Sequence, residues 1–209
     1  TPQMLAGVDA MVFDVQDVGV RQYTYPTTMA YGMKAAAEKG IPFVVLDRPT
    51  PITGTIVEGN ILDTLFSNFA GFYPVASRHG MTVGELAKMF NEAFGIGCDL
   101  TVVPMEGWTR DLWIDETDLP WKKPSPNLPT LEGVYNYPGT VLFEGTSLSE
   151  GRGTEKPFEY IGAPWLNAPA IADSMNALGL AGVRFEALDY TFAENARKYP
   201  GEAAHGVRF

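Results

Sequence analysis

Two short apolar runs of one design constrain this chain most: AMVFDV at residues 10–15 and GIPFVVLD at residues 40–47. Each is rich in β-branched and aromatic residues, is too short for a helix and carries an aspartate at its carboxyl end, Asp14 or Asp47, the pattern of a buried parallel strand. The joining segment, PTTMAYGMKAAAEKG, offers a threonine cap at Thr27 or Thr28, strong helix formers through Lys39 and a stop at Gly40. Strand, helix and strand within roughly 30 residues make a βαβ unit, and its parallel pairing requires a layered α/β fold.

The same reading continues downstream. TVGELAKMFNEAF at residues 82–94 predicts a helix with a Thr82/Glu85 capping box and an apolar stripe of Val83, Leu86, Ala87, Phe90 and Phe94. DLTVVP at residues 99–104 supplies a further strand. Beyond it, Pro120, Pro124, Pro126, Pro129 and Pro138, with Trp108, Trp113 and Trp121, leave little room for a long helix before residue 165. That stretch reads as an extended, aromatic-rich region covering a cleft. A helix with proline in its first turn is expected at residues 169–179, a strand at 183–188, and HGVRF looks like a strand beginning. The opening and closing patterns lead us to expect that both ends are cut.

Composition narrows the partners. With 209 residues, 45% of them hydrophobic, the chain can build a substantial core, and a formal charge of -10 argues against nucleic acid, which needs Lys and Arg to neutralise phosphates. A neutral or sugar-like ligand suits the balance better. A single cysteine, Cys98, excludes an internal disulfide and thiolate metal clusters, and two histidines, His79 and His205, make a multi-histidine zinc site a poor expectation. No metal or cofactor is assigned. No apolar run reaches the roughly 20 residues that span a bilayer.

Ligands of doubly wound sheets sit beyond the carboxyl ends of the strands. There the chain reads DVQDVGVRQYTY, with Asp14, Gln16, Asp17, Arg21, Tyr23 and Tyr25, and DRPTP, with Asp47 and Arg48. These residues either line a site, or Asp14 and Asp47 pair with Arg21 or Arg48 and cap nearby backbone. Glu58 in TIVEGN can approach a ligand closely or be a solvated turn residue, and Arg78 and His79 in SRHGMT precede a helix N-terminus, where anions are favoured. PSPNLPTLEG presents Ser125, Asn127 and Glu132 on a proline-stiffened loop. EGTSLSEGRGTEKPF adds Glu144, Glu150, Arg152, Thr154 and Glu155. Several loop carboxylates among aromatic residues match glycoside hydrolysis, in which one carboxylic acid protonates the leaving oxygen and a second carboxylate acts as base or nucleophile. Two rival motifs fail. Gly145, Ser147 and Ser149 give G-x-S-x-S, not a nucleophile elbow, and GRGTEK lacks both the third glycine of a dinucleotide loop and the Gly-Lys-Ser/Thr of a phosphate loop.

In order along the chain, FDVQDVGVRQYTY, VVLDRPTPITG, VEGN, RHGMTVGEL, PSPNLPT and EGTSLSEGRGTEKPFEYIGAPW resemble the bacterial exo-β-N-acetylmuramidases. These are glycoside hydrolases that remove terminal N-acetylmuramic acid from peptidoglycan fragments. The resemblance implies an α/β fold, with an incomplete Rossmann-like parallel-sheet domain over residues 1–140. A cleft loop and the start of a smaller α/β domain would follow over residues 141–209, with the active site in the cleft. It also implies an upstream Gly-Pro-Glu-His-Gly motif, absent from this sequence, whose glutamate is a proposed catalytic residue; a chain of this extent need not be active by itself.

Carried over by motif, Glu58 is the first candidate for the second catalytic carboxylate, with Glu144 and Glu150 in reserve. Asp14, Asp17, Arg21, Tyr23, Asp47, Arg48, His79, Asn127 and Arg152 are candidates for substrate binding, Arg48 or Arg152 toward the lactyl carboxylate of muramic acid. Thr50 stands where the family commonly has asparagine after DRP. The resemblance further implies peptidoglycan saccharides as partners and an extracytoplasmic location. A peptidoglycan-sugar binding protein of the same fold, without catalysis, is the alternative.

Overall fold

The computed structural model describes residues 2–209, which divide into two compact units, Thr1–Trp121 and Lys122–Phe209. In the first unit, β1 (Met11–Phe13) leads through α1 (Tyr25–Lys39) to β2 (Phe43–Leu46). A two-stranded antiparallel ribbon follows, β3 (Glu58–Ile61) with β4 (Ala76–Arg78), and then α2 (Val83–Glu92) and β5 (Leu100–Val103). The main sheet has the order β1-β2-β5 and is parallel throughout, as the βαβ pattern demands.

Local chemistry accounts for both helices. Pro26 lies in the first turn of α1, and Gly40 ends it in a left-handed conformation (φ 72°), its N–H bonding the carbonyls of Ala36 and Ala37. In α2 the Thr82 hydroxyl accepts from the Glu85 N–H while the Glu85 carboxylate accepts from the Thr82 N–H, so the expected capping box is present.

The register Met11↔Phe43↔Leu100 places alternate residues on one face. There Phe13, Phe43 and Val45 join Met29, Met33, Leu86, Ala87 and Phe90 of the two helices in a single core. The strands are not buried on both faces, contrary to what their apolar runs predict: Val12 is 63% exposed and Val103 45%. Continuous apolar runs signal two covered faces, and among the described residues α1 and α2 pack on the Phe13/Phe43 side.

The second unit begins with α3 (Leu131–Thr140), followed by β6 (Tyr160–Ala163), α4 (Ala168–Asn176), β7 (Glu186–Thr191) and β8 (Ala203–Arg208). A ten-residue helix thus stands inside the proline-rich stretch expected to be extended. The Thr130 side chain caps it by accepting from the Gly133 N–H, and Pro138 is carried in its last turns. The strand expected at 183–188 lies three residues later. HGVRF, the expected beginning of a strand, belongs to the central strand of an antiparallel sheet of order β6-β8-β7.

Candidate active site

In the first unit, the carboxyl ends of β1, β2 and β5 open on a pocket of about 720 Å³ lined by Asp14, Asp47, Arg48, Glu106 and Trp108 among others. Arg48 reaches across it to Asp14, with Nη2 2.5 Å and Nε 2.8 Å from the same oxygen, Oδ1. Asp47 turns the other way. Its Oδ1 accepts from the Gly84 N–H at 2.8 Å and the Arg48 N–H at 2.9 Å, and its Oδ2 accepts from the Thr82 hydroxyl at 2.9 Å. The anion held by the N-terminus of α2 is therefore a side chain of this chain. Thr50 is buried and packs on Gly19, where its Oγ1 would lie 2.6 Å from an added Cβ, so this departure from the family pattern falls at a packed position.

Behind this pocket, DVQDVGVRQYTY is largely interior. Asp17 accepts from the Gly19 N–H at 2.8 Å, and the same oxygen lies 3.4 Å from His79 Nε2, both side chains being almost wholly buried. His79 Nδ1 accepts from the Met81 N–H, which places the ring proton on Nε2, facing Asp17. Arg21 is also buried, donating to the carbonyls of Asn60 at 2.7 Å and Val75 at 2.5 Å, and burial draws its ionisation below the ordinary arginine range. Tyr23 is buried edge-on to Tyr25, with ring centroids 4.7 Å apart.

Glu58 stands differently. It opens β3 directly opposite Arg78 of β4, its side chain is 61% exposed, and Oε2 accepts from Arg78 Nη1 at 2.9 Å.

In the second unit, the glycine- and serine-rich stretch is an ion-pair cluster. Arg152 Nη2 lies 2.6 Å from Glu144 Oε1, and its Nε lies 3.5 Å from Glu150 Oε1. Glu150 is buried, with Lys198 Nζ 3.5 Å from its other oxygen; that ammonium donates to the carbonyls of Leu148 and Phe143. Phe158 is held at φ 68°, a conformation rare for a bulky residue, where its ring packs edge-on to Tyr137 at 4.7 Å and under the Arg152 guanidinium at 5.2 Å.

Beside this cluster is a second pocket, of about 830 Å³, whose lining includes Asn127, Thr154, Glu155, Tyr160, Tyr190 and Asn195. Tyr160 and Tyr190 are adjacent, with ring centroids 5.6 Å apart. Burial, and then the charge of Glu150, push the Tyr190 phenol well above the ordinary tyrosine value.

The structure thus brings Asp14 together with Arg48, Asp17 with His79, Glu144 and Glu150 with Arg152, and Asn127 with Thr154 and Glu155. Sequence reasoning missed Lys198, Tyr190 and Asn195, which enter these groupings from distant segments and carry no local motif. It named Arg78 only as a neighbour of a helix end; its alternation across from Glu58 is a pairing that no single segment encodes. Among the described residues, no group of three or more His, Cys, Asp or Glu side chains is placed to hold a metal ion, and no helix is long and apolar enough to cross a membrane.

Family models described as Exo-beta-N-acetylmuramidase NamZ, N-terminal, and Exo-beta-N-acetylmuramidase NamZ, C-terminal, match residues 1–132 and 135–209. The peptidoglycan beta-N-acetylmuramidase NamZ of Bacillus subtilis (strain 168) is 52% identical over 208 residues, covering 100% of this chain and 50% of that protein. Crystal structures of two DUF1343 family proteins from Bacteroides fragilis NCTC 9343 match 100% of this chain and 54% and 55% of their own. Their identities are 36% and 34%, with TM-scores of 0.92 and 0.78. The chain spans about half the length of these relatives.

Proposed function

The chain belongs to the exo-beta-N-acetylmuramidase NamZ family, and on that premise we propose that the complete protein is a glycoside hydrolase removing terminal β-linked N-acetylmuramic acid from peptidoglycan fragments. Glu58 is its working carboxylate within this chain. The observation that carries this reading is the placement of Glu58: solvent-facing, held at one oxygen by Arg78 and, among the described residues, without a hydrogen-bond partner at the other. Glu144 and Glu150 suit the role less: Glu144, though likewise held at one oxygen by an arginine, is 31% exposed against 61% for Glu58, and Glu150 is buried between Arg152 and Lys198.

The pocket of the second unit supports a saccharide ligand. Tyrosine faces and amide side chains, Asn127 and Asn195, are the groups that stack on sugar rings and bond their hydroxyls and acetamides. Arg48 is the better partner for a lactyl carboxylate, since among the described residues it meets one carboxylate, that of Asp14, whereas Arg152 already meets two. An extracytoplasmic location, where peptidoglycan fragments are met, belongs to the same proposal.

The test supplies the complete protein with chromogenic β-glycosides of N-acetylmuramic acid and of N-acetylglucosamine. Release from the muramic acid compound, and its loss by about 10²–10⁴-fold in Glu58→Gln, is expected. Tight binding of muramic acid by calorimetry with no product from the unaltered protein would establish a sugar-binding protein instead.

A further inference from the structure

We infer that the pocket of the second unit takes the neutral sugar of the glycan, N-acetylglucosamine, and that Glu155 in its lining keeps N-acetylmuramic acid out. The inference rests on the glycosidase reading above and deepens it, since that reading gives the pocket a saccharide without choosing between the two.

Charge separates the two sugars. N-acetylmuramic acid carries the lactyl carboxylate where N-acetylglucosamine has a hydroxyl, and both carry the 2-acetamido group. Among the described residues the pocket lining contains one charged side chain, Glu155, and no lysine, arginine or histidine. Glu155 is exposed and has no ion-pair partner among those residues. Two cations act on Tyr160 electrostatically, and each is already paired. Lys156 Nζ lies 3.2 Å from Glu159 Oε2, and Arg208 donates to Glu186 Oε2 from Nε at 2.9 Å and from Nη2 at 2.5 Å. A lactyl carboxylate entering here would meet an uncompensated carboxylate and no cation to bond, so the pocket selects by repulsion.

The rest of the lining suits an uncharged acetamido sugar. Tyr160, Tyr190 and Phe192 make one aromatic wall, with centroids 5.6 Å apart between the tyrosines and 5.1 Å between Tyr190 and Phe192. Tyr190 lies close on the sheet because β6 and β8 are bare of side chains beneath it. A Cβ at Gly162 would stand 2.4 Å from Tyr190 Oη, and one at Gly206 2.9 Å from its Cε1. The phenol oxygen is buried there, so what this side chain offers a ligand is its ring. The C–H face of a pyranose and the methyl of an acetamide pack on such carbon. Asn127 and Asn195 are exposed, and among the described residues neither amide has a hydrogen-bond partner, so each can donate to and accept from hydroxyl or acetamide groups.

The backbone beneath these groups is a fixed frame. The Gly153 carbonyl accepts from the Ala193 N–H at 2.8 Å, and at φ 87° a Cβ on Gly153 would lie 2.4 Å from Ala196 Cβ. The segment bearing Glu155 is thus clasped to the one bearing Asn195. The Thr154 hydroxyl adds a bond to the Gly151 carbonyl at 2.6 Å. A ligand is spared the cost of ordering these walls.

The experiment titrates the complete protein, carrying Arg48→Ala to remove the pairing proposed for the lactyl carboxylate, with methyl β-glycosides of N-acetylglucosamine, N-acetylmuramic acid and glucosamine, by calorimetry. The N-acetylglucosamine glycoside is expected to bind, with a loss of about tenfold in Tyr160→Ala and of about three- to tenfold in Asn195→Ala. The muramic acid glycoside should bind more weakly. Glu155→Lys should strengthen it about tenfold at low ionic strength, the effect of reversing one charge about 6 Å from another through water, and leave N-acetylglucosamine within about twofold. Equal binding of the two N-acetyl sugars, with no response of either to Glu155→Lys, would overturn the inference. So would glucosamine binding most tightly, which would make Glu155 an attractor of ammonium groups. No binding of N-acetylglucosamine, or binding that ignores both Tyr160→Ala and Asn195→Ala, overturns it as well. Turnover of the chromogenic muramic acid glycoside is read separately, with Arg48 intact: its absence beside the expected binding pattern counts against the glycosidase reading and supports the assignment of the pocket. Should Tyr160→Ala fail to fold, Asn195→Ala and Glu155→Lys, both at exposed side chains, still decide.

Discussion

Gly84→Ala is a substitution whose sign depends on one close approach. In an ordinary helix the change favours folding by up to about 1 kcal/mol, because alanine is the better helix former. Here an added Cβ would lie 2.6 Å from Val102 Cγ1 and 2.7 Å from Asp47 Cγ. Neither neighbour can retreat freely: Val102 is on β5, and Asp47 is tied to Thr82 and to the Gly84 N–H itself. Overpacking of this kind costs about 1–3 kcal/mol, and displacing the carboxylate weakens a charge-assisted bond worth about 1.5–3 kcal/mol. The cost outweighs the helix gain, leaving a net loss of about 1–3 kcal/mol. At about 2–4 °C per kcal/mol, the melting temperature falls by about 2–12 °C. Thermal unfolding followed by circular dichroism measures it, and Asp47→Ala tests the cause, since clearing the carboxylate should make the double variant less unstable than the sum of the two singles. A Gly84→Ala protein melting at or above the parent temperature would refute the packing argument.

Two further predictions concern pH. Because burial raises the Tyr190 phenol, the unfolded chain releases that proton first above about pH 10; stability therefore falls as pH rises, and Tyr190→Phe should flatten the alkaline loss seen in urea titrations. Glu186 is drawn below the ordinary glutamate value by its hydrogen bond to Arg208 and by that charge, directly across the β7–β8 ladder. As pH falls below about 4.3 the unfolded chain takes up the proton first, so the pair's contribution is present above that pH and lost below it, and Glu186→Gln should remove this part of the acid dependence in thermal melts.

The parallel sheet was legible because βαβ patterning is local: two short β-branched runs, a capped helix between them and Gly40 in its left-handed stop. The capping box of α2 was legible for the same reason, four residues sufficing to encode it. The helix around Pro138 was not, because proline content was read as extended chain, whereas the Thr130 cap and the packing of Val134 and Tyr137 hold a helix there. The sequence left two fates open for the aspartates, and the structure distributes them: Asp14 pairs with Arg48 while Asp47 caps α2. What no segment encodes is the apposition of Glu58 and Arg78. They are twenty residues apart in sequence, and their pairing depends on a ribbon whose register shifts between Glu58 and Ile61.

The most direct test of the account is product analysis of the complete protein acting on a disaccharide with N-acetylmuramic acid at its non-reducing end, alone and as Glu58→Gln. Free N-acetylmuramic acid from the parent protein, and a loss of at least about 10²-fold in the variant, is the predicted result. Release at an undiminished rate from Glu58→Gln, or no release from the parent protein, would contradict it.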